Sequence, residues 1–365
     1  MGFESGVISY RVFYVPRGLP RDAWQQFARQ AAPPLDTLGK DAIQGWVTGR
    51  HLLDRTITEE TAYYAARLRL TLMKAERTIP QALLRAETRM EELAVMQAEG
   101  IESLPRARRS EIRKDVTERL LPTMPPTLTG IPMVYEHQTD RVYAAATTDK
   151  QVDALTLAFR EAAGSDLVPM TPETAALKRK QVNARDLHPS SFSEHIADEE
   201  GGNSLGLDFL TWLWFFSEQR GGIIHVGSHE FAAAVEGPLT FFMEGRGSHL
   251  TVLRNGEPLL ASETRSALLS GKKLRRAKLT LARVEESWTG TIDADSFVFR
   301  GFSMPKTDNL TPESRFEERM MSLGRFLEGF LAFYDRFLDE RADKQSWSRT
   351  VEAMRKWVNE RQVNA

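Results

Sequence analysis

Apolar and polar positions follow two periods along the chain, and the switches between them mark strands and helices. Residues 7–15 (VISYRVFYV) are rich in β-branched and aromatic side chains and end at Pro16, which predicts a strand. Trp24, Phe27 and Ala28 stand at helical spacing after Pro20, and Pro33-Pro34 stops that short helix. Strands are expected at 43–47 and 63–73; in the second, Leu68, Leu70 and Leu72 alternate with Arg67, Arg69 and Thr71. Pro80 opens a helix over 81–99, with Leu83, Leu84, Met90, Leu93 and Met96 on roughly one stripe and Gly100 as its end. A second helix over 105–121 stops at Pro122. Joined by about five residues, the two read as an αα-hairpin projecting from a sheet, each arm roughly 25 Å long at ~1.5 Å per residue.

Farther on, 131–135 and 142–146 predict a strand pair, and Asp149 is placed to cap a helix over 149–163 that Gly164 ends. An apolar helix over 206–219 stops at Gly221-Gly222. Short strands are expected at 223–226, 231–235, 239–243, 249–253 and 258–261, a helix at 263–270, and strands at 279–284 and 296–302. The end is helical, over 312–341 and 347–362. Strands and helices are not interleaved as a βαβ series, so the fold class is α+β, with antiparallel sheets, a projecting helical hairpin and C-terminal helices.

Length and composition narrow the classes. With 365 residues the chain exceeds the ~250–300 at which a single core stops growing, so more than one domain is expected. The expected division is an N-terminal α+β domain over 1–170 with the hairpin at 80–122, a polar linker over 171–204, a second, tip-like α+β domain over 205–310, and C-terminal helices over 311–365. Absence of Cys excludes a disulfide scaffold, a thiolate metal site and a Cys nucleophile. The most apolar run, 205–216, is far short of the ~20 residues of a membrane span and contains Asp208 and Thr211. The first residues show no signal-peptide pattern, so a cytoplasmic protein without membrane attachment is expected. The 48 Lys and Arg against 50 Asp and Glu give a formal charge of -2, which argues against a uniformly basic polyanion binder.

Catalytic patterns find no positive support. None of the seven His falls in H-E-x-x-H; His225 and His229 are four apart, but the residues between read as strand and turn, a polar hairpin tip rather than a metal pair. No G-x-S-x-G or phosphate-loop pattern occurs, and Gly245-Arg246-Gly247 reads as a loop. Asp293 and Asp295 resemble a nuclease carboxylate pair but fit a turn between two strands better. No catalytic residue, metal ligand or cofactor is expected.

Two basic clusters stand above background. Lys272, Lys273, Arg275, Arg276 and Lys278 put five cations within eight positions with no acid inside the run, and an extended backbone sends Arg275 and Arg276 to opposite sides. Phosphate attracts such cations without regard to base identity; the alternative is a solvated surface turn. Arg106, Arg109 and Arg113 share a face at the start of the second hairpin helix, with Arg108 and Lys114 beside them. Cations there oppose the helix dipole by a few tenths of a kcal/mol each, which points to a partner, whereas Glu111, Asp115 and Glu118 fit an ordinary solvated helix. Lys178-Arg179-Lys180 is a weaker third cluster. The stripe Leu323, Leu327, Phe330, Phe333 and Phe337 fits a buried helix face, with a docking surface as the rival reading.

The order of these pieces resembles the recombination-associated protein RdgC family. Gly45-Trp46-Val47 comes first, then Arg77-Thr78-Ile79-Pro80 leading into the charged hairpin, Leu120-Leu121-Pro122, and a strand with Met133-Val134-Tyr135. The helix with Ala154-Leu155-Thr156-Leu157-Ala158-Phe159-Arg160 follows, then Leu167-Val168-Pro169, Gly271-Lys272-Lys273-Leu274, Lys278-Leu279-Thr280-Leu281 and a late helix with Arg315-Phe316. The resemblance spans roughly residues 5–340 and rests on order and spacing. The apolar segment 205–222 and the tail from Asp343 are extra, and Thr123-Met124-Pro125-Pro126 stands where the family carries aromatic residues.

The resemblance implies a non-enzymatic, nucleoid-associated homodimer closed into a ring by its hairpin and late helices. It would encircle double-stranded DNA without sequence preference, with single-stranded DNA left open as a second ligand, and restrain RecA-type filaments in recombination and replication. By position, Lys272, Lys273, Arg275, Arg276 and Lys278 would face the hole, with Arg254 on a nearby hairpin. Cations facing inward and acids facing solvent reconcile that role with the near-zero net charge. The rivals are a metal-dependent nuclease acting on recombination intermediates through Asp293 and Asp295, and a protein-interaction module docking through its aromatic helices.

Overall fold

The computed structural model describes residues 2–243, 250–306 and 310–360, so Gly245-Arg246-Gly247, His249 and positions 361–362 lie outside the described residues. Strand β1 (Ile8–Tyr14), helix α1 (Trp24–Arg29) and strand β2 (Ile43–Thr48) come first, then the single turn α2 (Glu59–Ala62). The strand expected at 63–73 is a tight hairpin of β3 (Tyr63–Tyr64) and β4 (Arg67–Arg77). Ala65 and Ala66 between them both take positive φ, the geometry of a two-residue hairpin turn, and set Tyr63 opposite Leu68. Helices α3 (Gln81–Glu99) and α4 (Arg106–Leu120) follow, then β5 (Pro126–Glu136), β6 (Arg141–Ala144) and α5 (Asp149–Ala163). The α5 cap is Thr148 rather than Asp149: its hydroxyl accepts from Gln151 N while the Gln151 side chain accepts from Thr148 N.

The remainder runs β7 (Val168–Pro169), α6 (Pro172–Lys180), α7 (Leu205–Gln219), β8 (Ile223–Val226), β9 (His229–Phe242), β10 (Thr251–Leu253) and α8 (Ser262–Leu269). Strands β11 (Lys273–Arg283), β12 (Glu286–Asp293) and β13 (Val298–Ser303) precede helices α9 (Pro312–Ala342) and α10 (Lys344–Glu360). Three expectations change here. The strands expected at 231–235 and 239–243 are one, β9. Residues 258–260 form a 3-10 turn instead of a strand, because Pro258 opens a turn whose carbonyl accepts from the Thr264 hydroxyl. And β11 starts six residues early, so the basic run is itself strand.

The fold is α+β with antiparallel sheet, in two compact units. One takes the described residues of Met1–Pro16, Thr139–Asp153 and Leu167–Ala365. Its strands run in the order β10-β9-β11-β12-β13-β1-β6, with β8 also on β9 and β7 on β1. Inward side chains of that sheet, among them Leu279, Leu281, Trp288 and Phe299, meet α7 and α9. Phe209 on α7 lies edge-on to Tyr334, Phe330 and Phe297 at centroid distances of 4.9, 5.6 and 6.1 Å. The stripe Leu323, Leu327, Phe330, Phe333 and Phe337 is buried in this core, so it offers no docking surface. At Gly329 the helix comes so close that a Cβ would stand 2.4 Å from the Phe231 ring, which explains the absent side chain there.

The polar stretch 171–204 is built into the same unit. Thr171 caps α6 through the Thr174 amide. Lys178-Arg179-Lys180 fastens α6 to the body: Arg179 binds Asp335 through two nitrogens, Lys180 lies 2.7 Å from Asp339, and Lys178 stands over the Tyr14 ring. The Asp335 hydrogen bond holds the Arg179 guanidinium above its ordinary value, against the lowering effect of burial. Phe192 is buried, and Arg355 reaches back to the Ser191 carbonyl.

The other unit takes Arg17–Gln138 and Ala154–Asp166. Strands β5, β4 and β2 lie side by side, with β3 on β4. Phe27 of α1 packs edge-on against Trp46 at 4.8 Å. The α3–α4 hairpin leaves β4 and returns to its hydrogen-bonded neighbour β5, and closes on its own small core of Leu84, Leu104, Ile112 and Val116. The expected single stripe of α3 splits: Leu84 is buried and Met96 half-buried, while Leu83, Met90 and Leu93 are exposed. Leu83 and Leu84 are adjacent, and ~100° between neighbours sends them to different faces.

Candidate nucleic-acid interface

The basic run of β11 is distributed over two sides of the sheet. Ala277, Leu279 and Leu281 point into the core, and Arg276, Lys278 and Thr280 alternate with them on the opposite face. Directly opposed residues of antiparallel strands share a face, so the pairings extend that set. Arg276 stands opposite Asp293, Lys278 opposite Thr291 and Glu236, and Thr280 opposite Thr289. Across the next strand Thr291 faces Arg300 and Thr289 faces Ser303. One face of the sheet therefore presents Arg276, Lys278 and Arg300 among the hydroxyls of Thr280, Thr289, Thr291 and Ser303, all groups that bind phosphate oxygens.

Acids hold two of these three cations, and Arg300 donates to the Thr147 carbonyl at 2.9 Å. Lys278 Nζ lies 2.7 Å from Glu236, and Arg276 Nε donates to Asp293 at 2.6 Å. Arg276 and Lys278 nevertheless keep about 42% and 40% of their side-chain surface in contact with solvent. Arg275 and Arg276 do not part to opposite sides. The β11–β9 register shifts between Leu274 and Arg276, and this bulge lets Arg275 reach the same Asp293 carboxylate at 3.7 Å and Asp295 at 3.2 Å. Asp293 ends β12 and Asp295 lies in the turn that follows, both engaged by guanidinium groups. Among the described residues no group of three or more His, Asp or Glu is placed to hold a metal ion. His225 lies 3.4 Å from Glu230, across the hairpin of β8 and β9.

Lys273 leaves the candidate set. It is 3% exposed, its Nζ is bound to Asp208 of α7 and the Gly202 carbonyl, and the Phe192 ring lies 5.0 Å from it, so it is part of the core and not of a surface that DNA could meet. Lys272 precedes the strand and donates to the Thr251 hydroxyl of β10 at 2.6 Å. Arg254 is exposed in the turn after β10, and no ion pair engages it among the described residues.

The hairpin cluster belongs to the other unit. Arg106 and Arg113 are exposed on α4, while Arg109 turns back to donate to the Leu104 carbonyl at 3.0 Å. Arg113 and Lys114 line a groove of about 400 Å³ with Lys40, Ser110 and Thr117. Glu118, also in the groove, is 3.6 Å from Lys40.

Sequence reasoning missed the threonines of β12, because no strand is expected over 286–293; Arg300 stands in an expected strand, but its place on this face depends on β12 as the neighbour. In β12 the alternation of Ser287, Thr289 and Thr291 with Trp288 and Ile292 was the available signal. Among the described residues no helix is long and apolar enough to cross a membrane. No protein-family model matches the chain, and neither does any curated protein.

Proposed function

We propose that this chain is a non-enzymatic protein that binds the backbone of double-stranded DNA without sequence preference, as a ring-shaped homodimer. In the nucleoid it would limit RecA-type filaments in recombination and replication by occupying DNA. The observation that supports this reading most directly is the sheet face on which Arg276, Lys278 and Arg300 stand among four hydroxyl residues. The ordered resemblance to RdgC proteins is its second support. Exposed ion pairs are worth only ~0–1 kcal/mol each. A phosphate can therefore displace Glu236 from Lys278 at little cost, and the carboxylates keep the cations extended until it does. Because the acids nearly balance the cations, affinity is expected to be moderate and to depend steeply on salt. The exposed Leu83, Met90 and Leu93 of α3 favour a contact between copies.

The test is fluorescence anisotropy with random-sequence duplexes over a salt series. Replacing Lys272, Arg276 and Lys278 together by Ala should flatten the log affinity–log salt slope by about 0.9 per lost phosphate contact. An unchanged slope would remove these residues from the interface, and absence of binding by the native protein at low salt would end the proposal.

A further inference from the structure

Asp208 balances only half of the positive charge buried around it. Lys273 and Arg341 are each 3% exposed, and both bind its carboxylate, Lys273 through Nζ at 2.5 Å and Arg341 through Nε at 3.1 Å. The buried carboxylate next in the chain, Glu340, is engaged elsewhere, by Trp212, Arg220, Arg336 and Thr350. A desolvated charge without a counter-charge is strongly disfavoured, so this cluster favours a further anion.

Arg341 is also where the cluster meets a cavity. The cavity has a volume of about 630 Å³ and lies between the segment 186–199, the end of α9 and the first turns of α10. The Arg341 guanidinium lies against the Trp347 ring at 4.8 Å, and its Nη2 donates to the His188 carbonyl at 2.7 Å. None of the described residues accepts from Nη1. With Nε and one Nη2 hydrogen committed, Nη1 keeps two hydrogens and Nη2 one, donors enough for a pair of oxygens. Leu187, Pro189, Trp347 and Val351 supply an apolar wall beside it. Lys344 and Arg355 bring further positive charge, but Asp186, Asp198 and Glu199 line the same cavity, and Asp198 already binds Arg355 at 2.7 Å. Three acids thus match the three cations of the lining, which disfavours a polyanion, while the local excess of Lys273 and Arg341 over Asp208 is one positive charge.

We propose that this cavity binds a small, singly charged oxyanion, a carboxylate or a phosphate monoanion, held in bidentate fashion by Arg341 with its apolar part against Trp347 and Val351. The site is separate from the proposed DNA face and stands without it. The probes are benzoate, acetate and inorganic phosphate, titrated into the full-length protein by calorimetry at constant ionic strength in mildly acidic buffer. Phosphate is then mostly the monoanion. Saturable one-site binding of at least one probe is expected, and the preferred probe distinguishes carboxylate from phosphate. Arg341→Met should weaken it by about ten-fold or more, the effect of losing charge-assisted hydrogen bonds. Ser348→Trp, at an exposed position on the cavity wall, should block binding while leaving Arg341 in place, and it serves as the test if the first variant does not fold. The proposal is overturned if the native protein binds none of the three probes. It is equally overturned if a folded variant of either kind binds them like the native protein, or if tripolyphosphate binds more tightly than all of them.

Discussion

Lys273 and Asp208, 65 residues apart in sequence, meet side chain to side chain in the interior of their unit. A residue that reads as part of a basic surface run is thus a fixed piece of the core, and the carboxylate that fixes it also holds Arg341. Asp208→Asn would leave two buried cations facing a neutral amide. Breaking a buried ion pair costs about 3–5 kcal/mol, and the variant should lose at least that in chemical denaturation. Lys273→Met leaves one balanced pair of Asp208 and Arg341, and should fall within about 1 kcal/mol of the native protein. Equal losses in the two variants would contradict the charge count.

Tyr10 and Tyr334 are both fully buried but differ at the hydroxyl. Tyr334 donates to the Pro172 carbonyl at 2.8 Å, whereas the Tyr10 hydroxyl has no partner among the described residues. Tyr334→Phe should cost about 1 kcal/mol, and Tyr10→Phe should be neutral or stabilising, because it removes an unpaired polar group. Burial pushes both phenols well above their ordinary value of 10.0, with Tyr143 adding to the effect at Tyr10. A raised phenol favours folding through its neutral form. Stability that is intact below the ordinary value should then decline as pH rises past it, and the double Phe variant should flatten that alkaline decline.

Glu236 sits on Lys278 and competes with any phosphate for it. Glu236→Gln should therefore tighten binding to random duplex DNA, by up to about five-fold at low salt, the equivalent of one exposed ion pair. The gain should shrink as salt rises. Anisotropy titrations of the two proteins side by side provide the measurement, and unchanged or weaker binding by the variant would place DNA elsewhere.

The exposed side of α3 supports a test of assembly. Met90→Asp with Leu93→Asp puts two charges on a face that contributes nothing to the hairpin core. Thermal stability of the isolated subunit should change by no more than about 0.5 kcal/mol per substitution, as is usual at surface positions. In sedimentation the native chain should run as a dimer and the variant as a monomer. A variant that keeps the native mass would show that the copies do not meet through this face.

Local elements were legible where one residue type decides the matter. Pro80 and Gly100 bracket α3 as expected, and Gly221 and Gly222 follow α7. What stayed hidden was pairing at a distance. The run 272–278 contains no acid, yet Lys273, Arg276 and Lys278 find theirs at Asp208, Asp293 and Glu236, up to 65 residues away. Periodicity shows which side of a strand a residue takes but not which strand lies beside it. The bulge that brings Arg275 and Arg276 onto one carboxylate likewise depends on the partner strand, where Gly237 and Pro238 offset the register again. Hydroxyls and acids of the candidate face come from three further strands, which no window along the sequence brings together.

The notch at Gly329 has a consequence for how this chain can vary. Phe231 occupies the space where a side chain would be, so α9 is indexed to β9 at one position along its axis. Deleting a single residue between Pro312 and Gly329 would turn the rest of the helix by about 100° relative to its start. With the start of the helix held in place, the ring of Phe330 would then move into the notch. Length changes in this lineage should accordingly gather in the turns between elements, while the spacing from the start of α9 to Gly329 stays constant.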